Sequence, residues 1–202
     1  RRRVPVDTVL ASLPEKIPDA KLCLAGEHWQ WDGVEFSILH PPDTLPYLGN
    51  ESSCVVRVAG AGASALIPGD IGEVIEARLV REQAEMLDVD LLIAGHHGSA
   101  GSSSAEFLSA VSPLWVVYSA GSRNRFGFPR AEVVARVAGV GALQGNTADL
   151  GAIGFDFVPG RAPVPSEQRQ AARRWWQEPL APSMAGKSPD TDAVSRFRSS
   201  AD

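Results

Sequence analysis

The chain has 202 residues, 44% of them apolar, and a formal charge of −5 at pH 7. That length allows one sizeable core with room for a tail. The charge excludes a global basic field for nucleic acid, so no strong intrinsic nucleic-acid affinity is expected and any contact with a polyanion has to be local or helped by metal. No apolar run reaches the ~18 residues that span a bilayer. Nor does a hydrophobic stretch follow the basic start Arg1-Arg2-Arg3-Val4-Pro5 as in a secretory signal, so the chain alone is expected to be soluble.

In chain order, Val6 to Leu13 reads as a short helix that Asp7 caps and Pro14 ends. Lys21–Ala25 reads as a strand. Val34–Leu39 alternates apolar and polar residues, the pattern of a half-buried strand, and Pro41-Pro42 stops it. After a polar loop through Asn50-Glu51-Ser52-Ser53, Cys54–Val58 and Ser64–Ile67 are two strands of a hairpin. Ile71, Ile75 and Leu79 recur every four residues and predict an amphipathic helix within Gly72–Glu85. Val89–Ala94 is a continuous apolar run, as in a strand covered on both faces. Ser103-Ser104-Ala105-Glu106 has capping-box spacing and opens a helix to Val111. Leu114–Ser119 is a further strand, Pro129 precedes a helix over Arg130–Ala138, and Ile153–Val158 is a last strand. Strands that pair locally and then alternate with helices indicate a layered α/β or α+β domain over residues 1–159. Residues 160–202, rich in Pro, Ser, Ala and Arg, read as a largely disordered tail. Within it, Trp175-Trp176 reads as a helical turn docked by its rings, or alternatively as an anchor to a partner or membrane surface. The two cysteines, Cys23 and Cys54, form no CxxC and read as plain core thiols.

Two apolar strands each end in a metal-type ligand. Ala65-Leu66-Ile67-Pro68-Gly69-Asp70 delivers a carboxylate, and Leu91–Gly95 delivers His96-His97, followed by Gly98-Ser99. Open α/β sheets place their chemistry at the carboxyl ends of the strands. Asp70 is a candidate metal ligand, with helix capping as the alternative. His96 is the candidate imidazole ligand. Neighbouring side chains on extended chain point to opposite sides, so His97 falls outside the metal's own ligands or serves as a proton donor. Surface turn histidines are the alternative for both. Ser99, Ser102, Ser103 and Ser104 offer amides and hydroxyls suited to a phosphate oxygen; ordinary capping is the alternative for each. Asn124 and Arg125, in Asn124-Arg125-Phe126-Gly127-Phe128-Pro129, are further candidates for phosphate contact. His28 and His40 have no partner spacing and receive no role.

Taken in order, Asn50…Ser53-Cys54-Val55-Val56-Arg57-Val58, Pro68-Gly69-Asp70-Ile71, His96-His97-Gly98-Ser99 with Ser103-Ser104, Asn124…Phe128-Pro129 and Thr147…Gly151-Ala152-Ile153 form a series. The series resembles the metallo-β-lactamase-like domain of ComEC-type DNA-internalisation competence proteins over about residues 29–158. The resemblance implies part of an αββα sandwich and a phosphodiesterase (nuclease) acting on incoming DNA. Asp70 would match the bridging carboxylate, and His96, with His97 beside it, the late histidine ligand of a divalent metal site, zinc or manganese. Full-length members are inner-membrane proteins with a channel. The superfamily's His-x-His-x-Asp-His motif is absent, and Phe128 stands where many members carry His. The expectation is therefore a partial site, not competent alone, that needs the missing N-terminal half of the domain. A degenerate module with a binding or structural role and no catalysis is the alternative.

Overall fold

From Ala63 onward, apolar strands alternate with helices that have one apolar face. This pattern can bury itself only as a parallel sheet with crossover helices. The computed structural model describes residues 6–159 and 161–171. Its main element is a seven-stranded sheet in chain order: β3 (His28–Trp31), β4 (Val34–His40), β5 (Val55–Gly60), β6 (Ala63–Ile67), β7 (Leu91–Ile93), β8 (Trp115–Tyr118) and β9 (Leu143–Asn146). β3 to β6 pair antiparallel, and β6 to β9 pair parallel.

The crossovers are α1 (Glu73–Gln83), α2 (Ala105–Val111) and α3 (Ala131–Gly139). Parallel connections of one hand that step in one direction put their helices on one face. Accordingly Ile75, Leu79, Phe107, Leu108, Val133 and Val137 share one core with Leu66, Leu92, Val116 and Tyr118 of the sheet. The opposite face is partly covered. A hairpin of β10 (Ile153–Asp156) and β11 (Val164–Glu167) covers Leu91, Trp115 and Val117 there. The Trp115 ring meets Phe155 at 5.7 Å and its Nε1 donates to the Pro163 carbonyl. Further along that face, Trp31 and Ile67 stay 69% and 42% exposed. One sheet backed by helices, with its second apolar face only partly covered, is the arrangement expected of one half of an αββα sandwich, so the layered α/β class holds.

Several expectations need correction. Val6–Leu13 is not a helix. It contains β1 (Val9–Ala11), paired parallel with β2 (Ala20–Leu22), and Pro14–Lys16 forms a 3-10 turn. Pairing with a distant strand overrides the local helix signals. Cys23 and Cys54 are not free thiols: they form a disulfide with Cα atoms 6.1 Å apart. It joins the end of β2 to the residue before β5, a proximity that linear spacing does not reveal. The helix cap of α2 is Ser104, whose Oγ accepts from the Phe107 amide at 3.3 Å, and not Ser103, whose φ is +52°. Ordered chain also runs past Pro159, since β11 and a last helical turn (Gln168–Ala171) belong to the supposed tail. Trp175, Trp176 and the remainder of that tail lie outside the described residues.

Candidate metal-binding edge of the sheet

The parallel strands β6, β7 and β8 end at one edge, and their following loops carry the candidate residues. After β6, the chain turns at Gly69 with φ +63°, where a Cβ would lie 2.7 Å from Ser53 Cβ. Any larger residue would be both conformationally strained and in collision. Ser53 Oγ accepts from the Asp70 amide at 3.1 Å and donates to the Asn50 carbonyl at 2.8 Å. The Glu51 carboxylate accepts from the Gly72 amide at 3.2 Å. Gly72, not Asp70, is the N-cap of α1, and it makes no side-chain capping bond. The Asp70 carboxylate is therefore not used for capping. It is 36% exposed and lies 3.7 Å from His97 Nε2, whose side chain is 48% exposed.

After β7, His96 and His97 both adopt left-handed backbone, at φ +46° and +58°. The extended geometry expected for the pair is absent. A hydrogen bond from the His96 amide to the Gly69 carbonyl at 2.9 Å ties the two loops together. Side chains in left-handed conformation cost energy unless the surroundings hold them. Here Gly98 follows at φ +86°, against Pro129 and Tyr118, and its carbonyl accepts from the Arg130 amide at 2.9 Å. The two rings meet edge to face, their centroids 6.4 Å apart, and each has a different further neighbour. His97 turns to Asp70, and His96 meets the Phe128 ring edge-on at 5.8 Å. The imidazole beside the carboxylate is thus that of His97.

The serine segment is largely engaged in supporting this loop. Ser102 Oγ donates to the carbonyls of Gly95 at 2.7 Å and Ser99 at 2.9 Å. The amides of Ser103 and Ser104 both donate to the carboxylate of Glu76 on α1. Arg136 of α3 donates to the carbonyls of Ala100 and Ser102. Ser99 stays part-exposed beside the histidines. The Asn124 side chain closes its own loop: Nδ2 donates to the Gly121 and Phe128 carbonyls, and Oδ1 accepts from the Phe128 amide. Arg125 is exposed, its guanidinium 4.7 Å from the Phe126 ring centroid.

Four residues that hold the site received no individual role from the sequence. They are Glu51 and Ser53, which hold the Asp70 turn, Glu76, and His40. Glu76 is fully buried, and burial raises its carboxyl pKa against the pull of the Ser104 and Ser103 amides. Its only sequence signal was a carboxylate on the apolar side of α1, next to Ile75. His40 is 1% exposed and its Nε2 lies 2.8 Å from the Glu51 carbonyl. Burial holds it below the usual imidazole range.

Asp70 and His97 fit a divalent cation in kind, as hard and borderline donors at one open edge. They do not fit it in number. Among the described residues no group of three His, Cys, Asp or Glu side chains can hold a metal ion, and zinc-type sites take about three protein ligands.

No family model matches the chain. It is 36% identical over 176 residues to "Competence protein ComA" of Neisseria gonorrhoeae, which covers 87% of this chain and 25% of that protein. It is 33% identical over 142 residues to "Recombination protein 2" of Haemophilus influenzae, covering 70% of this chain and 18% of that protein. It is 31% identical over 109 residues to "ComE operon protein 3" of Bacillus subtilis, covering 54% and 14%. Among solved structures it is similar to CmlA, a diiron β-hydroxylase from Streptomyces venezuelae, at TM-score 0.41 and 14% identity, covering 63% of this chain and 33% of that one. The chain thus spans a quarter or less of the length of these curated relatives. No helix among the described residues is long and apolar enough to cross a membrane. Matched over most of its length to competence proteins, and carrying the Gly69-Asp70 and His96-His97 turns at one sheet edge, the chain belongs to the ComEC-type family of competence proteins.

Proposed function

We propose that the Asp70–His97 edge is this chain's share of a metal-dependent phosphodiesterase site that acts on incoming DNA in the intact competence protein. The observation that carries the reading is the approach of one carboxylate and one imidazole, 3.7 Å apart, from the ends of two neighbouring parallel strands. In the intact protein a divalent cation, zinc or manganese, would supply positive charge toward a phosphodiester oxygen. Asp70 and His97 would be two of the residues that hold it, and His96, backed by Phe128, would line the approach. Ser99 and Arg125 face the phosphate, and Ser103, Ser104 and Asn124 shape the loops that present them. The remaining ligands and the membrane channel come from parts of the protein outside the matched segment, so the chain alone is not a competent nuclease. The Cys23–Cys54 disulfide supports an oxidising compartment for the domain, because such bonds persist outside the reducing cytosol.

Zinc titration of the purified chain, followed by calorimetry and imidazole NMR, tests the site. Weak binding is expected, lost in both Asp70→Asn and His97→Gln, with no cleavage of a labelled oligonucleotide. Zinc binding unchanged by both substitutions overturns the site. Two tightly held ions with DNA cleavage by the pure chain overturn the incompleteness.

A further inference from the structure

Beside the Asp70–His97 pair, the loop after β8 builds a row of flat groups, of which Phe126 has no part in the proposed metal site. The Arg125 guanidinium lies 4.7 Å from the Phe126 ring centroid. Phe126 and Phe128 are stacked, 5.5 Å apart and 17° from parallel. Phe128 then meets His96, and Arg130 lies 5.8 Å from the Phe128 ring. The row runs from solvent to the histidine that precedes His97.

Two features set this row apart from a folding brace. Phe126 is 52% exposed, although core packing would draw such a ring inward. The loop is nevertheless held in shape by the three Asn124 side-chain bonds, so the exposed ring is presented on a fixed support. Charge points the same way. Between Glu106 and Glu132 the sequence has no acidic residue, while Arg123, Arg125 and Arg130 fall within it. In a chain of net charge −5 this is a local cationic segment, placed at the candidate site.

We propose that the Arg125–Phe126–Phe128 row is a stacking platform for an unpaired nucleobase. The base takes the outer face of Phe126, now covered by the Arg125 guanidinium, and Arg125 turns to the adjoining phosphate. Rings and guanidinium planes that stack on bases favour single strands, because a paired base inside a duplex has no free face. Stacking tolerates any base, which suits a protein that handles DNA of arbitrary sequence. The proposal rests on the phosphodiesterase reading and names its substrate class as single-stranded nucleic acid.

The test uses the 202-residue chain without metal, at low salt. Hexathymidylate, an abasic hexamer with the same phosphates, and a short duplex are titrated in turn, with Phe ring resonances followed by NMR. Stacking adds about fivefold or more in affinity per base. Hexathymidylate is therefore expected to bind at least about fivefold tighter than the abasic strand or the duplex, with upfield ring-current shifts at Phe126. Phe126→Ala should erase the preference, and Phe126→Trp should keep it. Equal affinities, absent ring shifts, no binding of hexathymidylate, or a preference that survives in Phe126→Ala overturns the platform. Asp70→Asn separates the two readings: it removes the zinc response if the metal site is real and leaves the base preference intact. Loss of either signal alone therefore identifies which reading has failed.

Discussion

Breaking the Cys23–Cys54 disulfide should destabilise the fold and loosen the Asp70 turn together. The bond closes a loop with a sequence separation of 31. In the chain-entropy description that closure removes about 12 cal/mol/K from the unfolded state, which corresponds to about 3.7 kcal/mol at 25 °C. For a domain of this size the midpoint of thermal unfolding should fall by about 7–15 °C. Cys54 directly follows Ser53, whose Oγ accepts from the Asp70 amide, so loss of the covalent tie should also free that contact. The assay is urea unfolding of the oxidised chain, the reduced chain and the Cys23→Ser/Cys54→Ser variant, with amide exchange read at Asp70. Two thiols titrating in the untreated chain would refute the bond itself. An intact bond whose removal shifts stability by less than about 1 kcal/mol, with Asp70 exchange unchanged, would refute the reasoning that it braces the turn.

Glu76→Ala should cost about 2–5 kcal/mol in urea unfolding, because one buried and one part-buried amide lose their acceptor; faster exchange at Ser103 and Ser104 would locate the effect. Gly98→Ala should cost about 2–4 kcal/mol, because the new methyl meets Pro129 Cβ at 2.7 Å on left-handed backbone; a near-neutral midpoint would mean that Pro129 yields. His40 gives a pH signature. Burial depresses its folded pKa below the ordinary 6.5, so below that value the unfolded state binds more protons. Its contribution is complete above about pH 6.5 and is lost as pH falls toward the depressed value, by up to about 1.4 kcal/mol per pH unit. His40→Gln should flatten the unfolding curve between pH 6.5 and pH 5 relative to the parent; identical slopes would remove His40 as the cause.

The βαβ half was legible because its signals are local. The repeat Ile71, Ile75, Leu79 marked α1, the apolar run at Val89–Ala94 marked β7, and glycine-terminated strands marked the turns that bear Asp70 and the histidines. β3 was missed although Asp32-Gly33, with φ +49° and +79°, is a strong signal for a two-residue hairpin. Its residues are all exposed, so no apolar pattern drew attention to it.

By itself the sequence determined the layered class, the order of strands and helices from Ala63 to Gly139, and the two turns that bear Asp70 and the histidines, since periodicity and turn chemistry act over a few residues; β9 and β11 carried no such local signal. Tertiary structure decided what depends on contact between distant segments. It made a strand of Val9–Ala11 and joined Cys23 to Cys54. It placed Glu76 under the serine loop, and through two left-handed residues it turned His97, not His96, toward Asp70. None of these contacts follows from spacing along the chain, because each is fixed by packing across the sheet, where residues tens of positions apart become neighbours.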